Sequence, residues 1–180
     1  MLPPQPHIEQ DLIISAQQGD MVAFEKLVCI YERPIFSYIL RIVNRREDAE
    51  DVAQDAFVKF FIHIKDIKPE KGCKSWLYAT ATNTAYDCLR HKQHRPEDLI
   101  IDSDRETKHL DPTYTTIEAD INSQDLERAL LQLKPIYASI LLLFFKEGFS
   151  YEEIAVMLNL PMGTVKTHLH RAKAALHEKL

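Results

Sequence analysis

Ser150-Tyr151-Glu152-Glu153-Ile154-Ala155-Val156-Met157-Leu158-Asn159-Leu160-Pro161-Met162-Gly163-Thr164-Val165-Lys166-Thr167-His168-Leu169-His170-Arg171-Ala172-Lys173 is the stretch that decides the fold. Ser150 followed three residues later by Glu153 has the form of a capping box and opens a short helix through Ile154, Ala155 and Leu158. Asn159-Leu160-Pro161 reads as a turn, and a last helix runs from about Met162 to the C-terminus. Two helices joined by a tight turn, the second one basic, form the layout of a helix-turn-helix. Ala155 is small where the helices cross, and Ile154, Leu158, Leu160 and Val165 close the core between them. Val165, Leu169, Ala172 and Leu176 repeat at helical spacing and give the second helix a buried side. Lys166, Thr167, His170, Arg171 and Lys173 then fall on or beside its outward side, with donors suited to bases or phosphates. A helical hairpin with a solvated basic face has the same spacing, so this motif alone leaves both readings open.

Upstream of it the chain is also helical in pattern. The four glycines, Gly19, Gly72, Gly148 and Gly163, each stand at a break between periodic runs. No run alternates apolar and polar residues for long enough to read as a sheet, so the expectation is all-α. A first helix spans about Ile8 to Gln18, and Asp20 caps a second carrying Phe24, Leu27, Val28 and Tyr31. A third is expected to start at Pro34 and carry Ile35, Tyr38, Ile39 and Ile42. Asn44-Arg45-Arg46-Glu47 has capping-box form and opens a fourth, with Ala49, Val52, Ala53, Ala56, Phe57, Phe60 and Phe61 in one stripe. Lys65 to Gly72 reads as a loop, and a fifth helix covers about Ser75 to Lys92. Helices resume at about Asn122–Leu133 and Pro135–Lys146.

The net charge of -5 argues against nucleic acid until its distribution is read. Lys71 to Arg95 holds five Lys and Arg against Asp87, a local +4, and Pro161 to Leu180 holds four against Glu178, a local +3. Between them, Glu97 to Asp125 carries nine acids against Arg105 and Lys108, a local -7. Residues Pro96 to Ile121 are polar with weak periodicity, which predicts an acidic linker rather than part of a compact core. The expected organisation is two small helical domains, residues 8–95 and 122–180, joined by residues 96–121.

Asp48, Asp51 and Asp55 lie along one edge of the fourth helix, with Glu47, Glu50 and Gln54 beside them. Such a stripe suits a basic surface of a partner protein, and equally a solvated face. Lys71 to Arg90 interleaves basic, aromatic and amide residues, a composition that suits single-stranded DNA, although Trp76 and Tyr78 also suit a core. No apolar run approaches the roughly 18 residues of a membrane span. The start has neither a basic nor an apolar region of a signal peptide, and Cys29, Cys73 and Cys88 are too few and scattered for a disulfide framework. A reduced, cytoplasmic protein is expected. Cys88, His91 and His94 repeat at steps of three, which drift around a helix, and no fourth zinc ligand is evident. No glycine-rich phosphate loop or nucleophile motif appears, so neither catalysis nor a cofactor is expected.

Three runs in order resemble the extracytoplasmic-function (ECF) sigma factors, the smallest members of the sigma-70 family. Asp48-Ala49-Glu50-Asp51-Val52-Ala53-Gln54-Asp55-Ala56-Phe57 is similar to the segment that grips polymerase; Trp76-Leu77-Tyr78 with Thr82-Asn83-Thr84-Ala85 and Asp87-Cys88-Leu89-Arg90 is similar to the helix that reads the minus-10 element. Ser150–Ala155 and Pro161–Thr167 resemble the helix-turn-helix that reads minus-35 DNA. The likeness covers about Asp11 to Arg95 and Ser123 to Lys179. It implies a sigma factor without enzymatic activity that directs promoter recognition, melting and initiation. The implied partners are the β′ clamp helices and β flap of core RNA polymerase, promoter DNA and an anti-sigma factor. By resemblance, Asp48, Asp51, Gln54 and Asp55 bind polymerase, and Lys71, Lys74, Tyr78, Thr82, Asn83, Tyr86 and Arg90 bind the minus-10 element. Asp66 to Lys74 matches a loop that captures a base flipped from the non-template strand, and Lys166, Thr167, His170 and Arg171 match major-groove contacts. The linker is implied to thread toward the polymerase's active-site and RNA-exit path. The chain departs from the family pattern at Ala79 and His168, where Arg is common, and at His91, Gln93 and His94, where more Arg follows. Two other readings remain: a polymerase-independent helix-turn-helix regulator, and a sigma mimic that sequesters an anti-sigma factor.

Overall fold

A computed structural model describes residues 6–93 and 123–180. Among them every regular element is helical: α1 (Pro6–Gln17), α2 (Met21–Val43), α3 (Arg46–His63), α4 (Lys74–Gln93), α5 (Ser123–Leu131), α6 (Pro135–Leu141), α7 (Tyr151–Leu158) and α8 (Met162–His177). The expected linker, 96–121, lies outside the described residues.

Asp20 caps α2 as its position implies: its Oδ1 accepts from the Val22 and Ala23 amides at 2.9 and 3.2 Å. The helix then runs unbroken to Val43, so the start expected at Pro34 is corrected to a single helix of 23 residues. Leu27, Tyr31, Ile35, Tyr38, Ile39 and Ile42 form one buried stripe that stays in helical register across Pro34. Pro34 itself is exposed, where water can serve the carbonyl left without its amide partner. Burial of the stripe outweighs the single lost hydrogen bond.

Asn44 is corrected too. Instead of capping α3 it closes α2 in the left-handed region, at φ 59°, with its amide on the Leu40 carbonyl. Asn tolerates that conformation, and one residue cannot both end α2 there and turn its side chain onto the next helix. Arg45 therefore precedes α3 with no side-chain cap, while Glu47 and Asp48 place negative charge in the first turn.

In α3, Ala49, Val52, Ala53, Ala56 and Phe60 are buried. Phe61 departs from the expected stripe: it is 49% exposed and meets the Phe24 ring edge-on at its inner side, 5.1 Å between centroids. The 65–72 loop contains two tight turns, Ile64–Asp66 and Pro69–Lys71, before α4 begins. Trp76 is half-buried and packs its ring 5.9 Å from Phe60.

Ser150 and Glu153 make the full reciprocal capping box at the start of α7. The helix expected over Pro135–Lys146 is regular only to Leu141; residues Leu142–Lys146 widen into a π turn that brings the chain round to the left-handed Gly148. Asn159, also left-handed, turns α7 into α8, and Ile154, Met157, Val165, Leu169 and Ala172 fill the core between and beneath them.

The helices α1–α4 form one bundle and α5–α8 a second. The two pack directly, α7 on α4 and α6 on α2, so that one apolar core runs through both.

Candidate nucleic-acid interface

Lys74, Tyr78, Thr82 and Tyr86 are spaced four apart on α4 and therefore share one face of that helix. This face is turned inward. Tyr78 is fully buried, its ring 5.1 Å from Tyr38 and 5.5 Å from Phe149, both edge-on. Thr82, also fully buried, lies 2.7 Å from the Tyr38 hydroxyl and donates to the Tyr78 carbonyl at 2.7 Å. Lys74 Nζ donates to the Glu147 carbonyl at 2.7 Å, lies 3.4 Å from its carboxylate and sits 5.0 Å from the Phe149 ring centre. Tyr86 Oη donates to Ser139 Oγ at 2.9 Å, and Ser139 Oγ in turn donates to the Pro135 carbonyl at 2.8 Å.

Of the seven residues expected at the minus-10 element, Lys74, Tyr78 and Tyr86 thus meet α6 or the turn before α7, Lys74 while still 38% exposed, and Thr82 packs on Tyr38 of α2. The other three, Lys71, Asn83 and Arg90, are exposed, and Arg90 pairs with Asp87 on its own helix. Burial pushes the Tyr78 phenol well above its usual range, with the Glu147 charge adding to it, and pushes Tyr86 up to about 12 against the pull of Ser139. Sequence reasoning missed the covering partners Glu147, Ser139 and Phe149, because contacts between residues more than fifty apart leave no local spacing signal.

The acidic edge of α3 divides in the same way. Asp51, Gln54 and Asp55 are exposed. Asp48 is 8% exposed and takes Lys92 Nζ on both oxygens at 2.7 and 2.6 Å, tying α3 to the far end of α4. Beside Gln54, the surface between α2 and α3 holds a groove of about 330 Å³ lined in part by Val28, Phe36, Ala53 and Phe57.

On α8 the predicted reading face is open. Lys166, Thr167, His170 and Arg171 are all exposed, while Val165, Leu169 and Ala172 hold the opposite side in the core. Thr167 directs its hydroxyl to the Gly163 carbonyl at 2.9 Å, which leaves Lys166, His170 and Arg171 with outward donors. His168 lies on the half-buried flank against Tyr137, 5.7 Å between rings, with Nδ1 enclosed. Of the Cys88, His91 and His94 trio, His94 lies outside the described residues.

Two family models match the chain: sigma-70 region 2 over residues 27–95 and sigma-70 region 4 over residues 123–176. The chain is 31% identical to the RNA polymerase sigma-H factor of Pseudomonas aeruginosa, over 96% of this chain and 93% of that one. It is 30% identical to the ECF RNA polymerase sigma factor SigW of Bacillus subtilis, over 93% and 94%. In fold it resembles the sigma factor RpoE from Bartonella quintana, solved with the anti-sigma factor NepR, at a TM-score of 0.71 and 22% identity over 87% of this chain and 95% of that one. It also resembles CnrH, solved with the cytosolic domain of CnrY, at a TM-score of 0.64 and 23% identity over 95% and 96%.

Proposed function

Because the chain belongs to the ECF sigma factors of the sigma-70 family, and so directs promoter recognition and transcription initiation by RNA polymerase, we propose the following division of labour among its residues. Residues 8–95 act as the polymerase-binding and minus-10 domain, residues 96–121 as the linker, and residues 122–180 as the minus-35 domain.

Asp51, Gln54 and Asp55, with the α2–α3 groove, dock on the β′ clamp helices, and Asp48 braces that surface through Lys92. Lys166, His170 and Arg171 of α8 contact the minus-35 element, with Thr167 shaping the start of the helix. Lys71, Asn83 and Arg90 meet the minus-10 strand directly. Lys74 and Tyr86 join them once α5–α8 have moved away, and Tyr78 and Thr82 hold the helix from within. Unstacking the minus-10 bases costs a few kcal/mol per step, which captured bases and phosphate contacts must offset.

Full minus-10 contact, with Lys74 and Tyr86 included, therefore requires the two bundles to separate, and the β flap, binding α5–α8, supplies the competing surface. An anti-sigma factor is the natural regulator, as RpoE was solved with one. The protein works in the cytoplasm and carries no catalytic activity of its own.

The observation that supports this reading best is the opposite exposure of the two DNA-facing helices: α8 presents its basic face, and α4 has half of its face covered. Run-off transcription with core polymerase on a pool of genomic promoter fragments tests it. Discrete new start sites sharing two spaced upstream elements are expected. Binding to core without new transcripts would point instead to a regulator or decoy.

A further inference from the structure

The first helix stands outside the matched region 2, which begins at residue 27, yet it reaches the loop between α3 and α4 at two separate points. Gln17 Nε2 donates to the carbonyls of Ile64 and Ile67, at 3.0 and 2.7 Å, where the loop leaves α3. Glu9 Oε1 accepts from the Cys73 amide at 2.9 Å, with Cys73 Sγ at 3.2 Å and the Tyr31 hydroxyl at 2.9 Å, where the loop joins α4.

Ile64, Ile67 and Cys73 are buried, whereas Lys68, Glu70 and Lys71 between them are exposed. The loop is thus fixed at both ends and open at its tip. Gly72 shows how closely it is fixed. It has φ +67°, and a Cβ there would stand 3.0 Å from Glu9 Oε1, so any side chain meets both backbone strain and the carboxylate. The two groups that α1 holds at Ile64 and Ile67 are both carbonyls of a short turn, which leaves the loop backbone few alternative paths.

We infer that α1 is a two-point splint that sets the shape of the 64–73 loop, with Glu9 and Gln17 as positioning residues for the unpaired base the loop receives. The inference rests on the reading of this loop as a base-capturing element and adds which residues hold it in shape. Preorganisation of this kind lowers the ordering cost of capture without touching the DNA.

The test uses holoenzyme, assembled from core polymerase and the full chain, on fork-junction promoter DNA. Abasic nucleotides are placed one at a time through the non-template minus-10 element. Wild type is expected to lose affinity sharply at one position, that of the captured base. Glu9→Ala and Gln17→Ala should each weaken binding to the intact fork junction by about tenfold. On the fork junction abasic at that position the same variants should lose less than about twofold, because the positioned interaction is already gone. Glu9→Gln, whose carbonyl oxygen still accepts from the Cys73 amide, should restore the wild-type difference between intact and abasic DNA. Equal losses on intact and abasic DNA, or no loss on either, would overturn the splint while leaving the loop reading in place. Absence of any abasic-sensitive position in wild type would overturn the loop reading and the splint with it. Gln17→Ala keeps the test valid if Glu9→Ala fails to fold, since Gln17 touches only the other end of the loop.

Discussion

The Tyr86 hydroxyl on α4 donates to the Ser139 hydroxyl on α6 at 2.9 Å, and this bond helps join the helix proposed to read minus-10 DNA to the domain proposed to read minus-35 DNA. Around it, Arg41 pairs with Glu127 through Nε at 2.9 Å, and Lys74 reaches Glu147. Three polar links therefore lie along one seam, with Phe149 and Tyr78 filling its apolar centre.

Tyr86→Phe should loosen this seam without emptying it. A hydrogen bond of this type is worth about 1 kcal/mol net, and Ser139 retains its bond to the Pro135 carbonyl. Energy transfer between dyes on the two bundles should report a larger separated fraction in the free variant, by about fivefold. An unchanged transfer distribution would mean that the apolar centre alone holds the seam.

Alkaline pH should have a related effect. The Tyr86 phenol is raised from 10.0 to about 12, so its proton is held more tightly with the seam closed than in an exposed tyrosine. Its contribution is complete below pH 10 and is lost as pH rises through 12. Absorbance at the phenolate band should show Tyr86 still protonated at a pH where an exposed tyrosine is half ionised, and Tyr86→Phe should remove that step. Tyr31, Tyr38 and Tyr78 are also raised by burial and should titrate only with unfolding.

The acidic residues of α3 should separate into two classes. Asp51→Lys with Asp55→Lys should abolish binding to core polymerase and leave the circular dichroism spectrum and melting temperature close to wild type, because both side chains are exposed. Asp48→Ala should instead destabilise the fold by about 1–3 kcal/mol, since it strands Lys92 against a largely buried surface. Normal holoenzyme formation by the double variant would remove α3 from the docking surface.

On α8, Arg171→Ala should cost about 1–3 kcal/mol in minus-35 binding if its guanidinium reads a base edge. Thr167→Val should cost less, because that hydroxyl is already directed at the Gly163 carbonyl. Competition binding of holoenzyme to minus-35 duplexes measures both. A Thr167 effect equal to that of Arg171 would show that the hydroxyl leaves Gly163 for the DNA.

The elements whose signals are local were legible from the residues alone. Ser150 and Glu153 form their capping box, Asp20 caps α2, and the Val165, Leu169 and Ala172 stripe is buried, leaving Lys166, His170 and Arg171 outward. Pro34 and Asn44 misled for opposite reasons. At Pro34 a long buried stripe overrode a residue that often starts helices, and at Asn44 the end of one helix claimed a residue suited to starting the next. The α4 face was legible as a set but not in its surroundings. Lys74, Tyr78, Thr82 and Tyr86 do share a side, yet nothing in their spacing distinguishes a face for DNA from one packed on Phe149 and Ser139. Glu9 and Gln17 gave no signal because their partners on the loop lie 47 to 64 residues away.

The bond between Asp48 and Lys92 bears on how such proteins exchange parts. A chimera that imports a foreign α4 to change promoter preference, without its native α3, would set Asp48 opposite whatever residue arrives at position 92. An apolar or acidic arrival would leave a carboxylate that is 8% exposed with Arg45, 3.8 Å away, as its remaining cation among the described residues. The loss would appear as weak polymerase binding, because the same helix carries Asp51 and Asp55. The transferable module is therefore α3 together with α4, and recombination breakpoints that preserve function should fall before Arg46 rather than in the loop after His63.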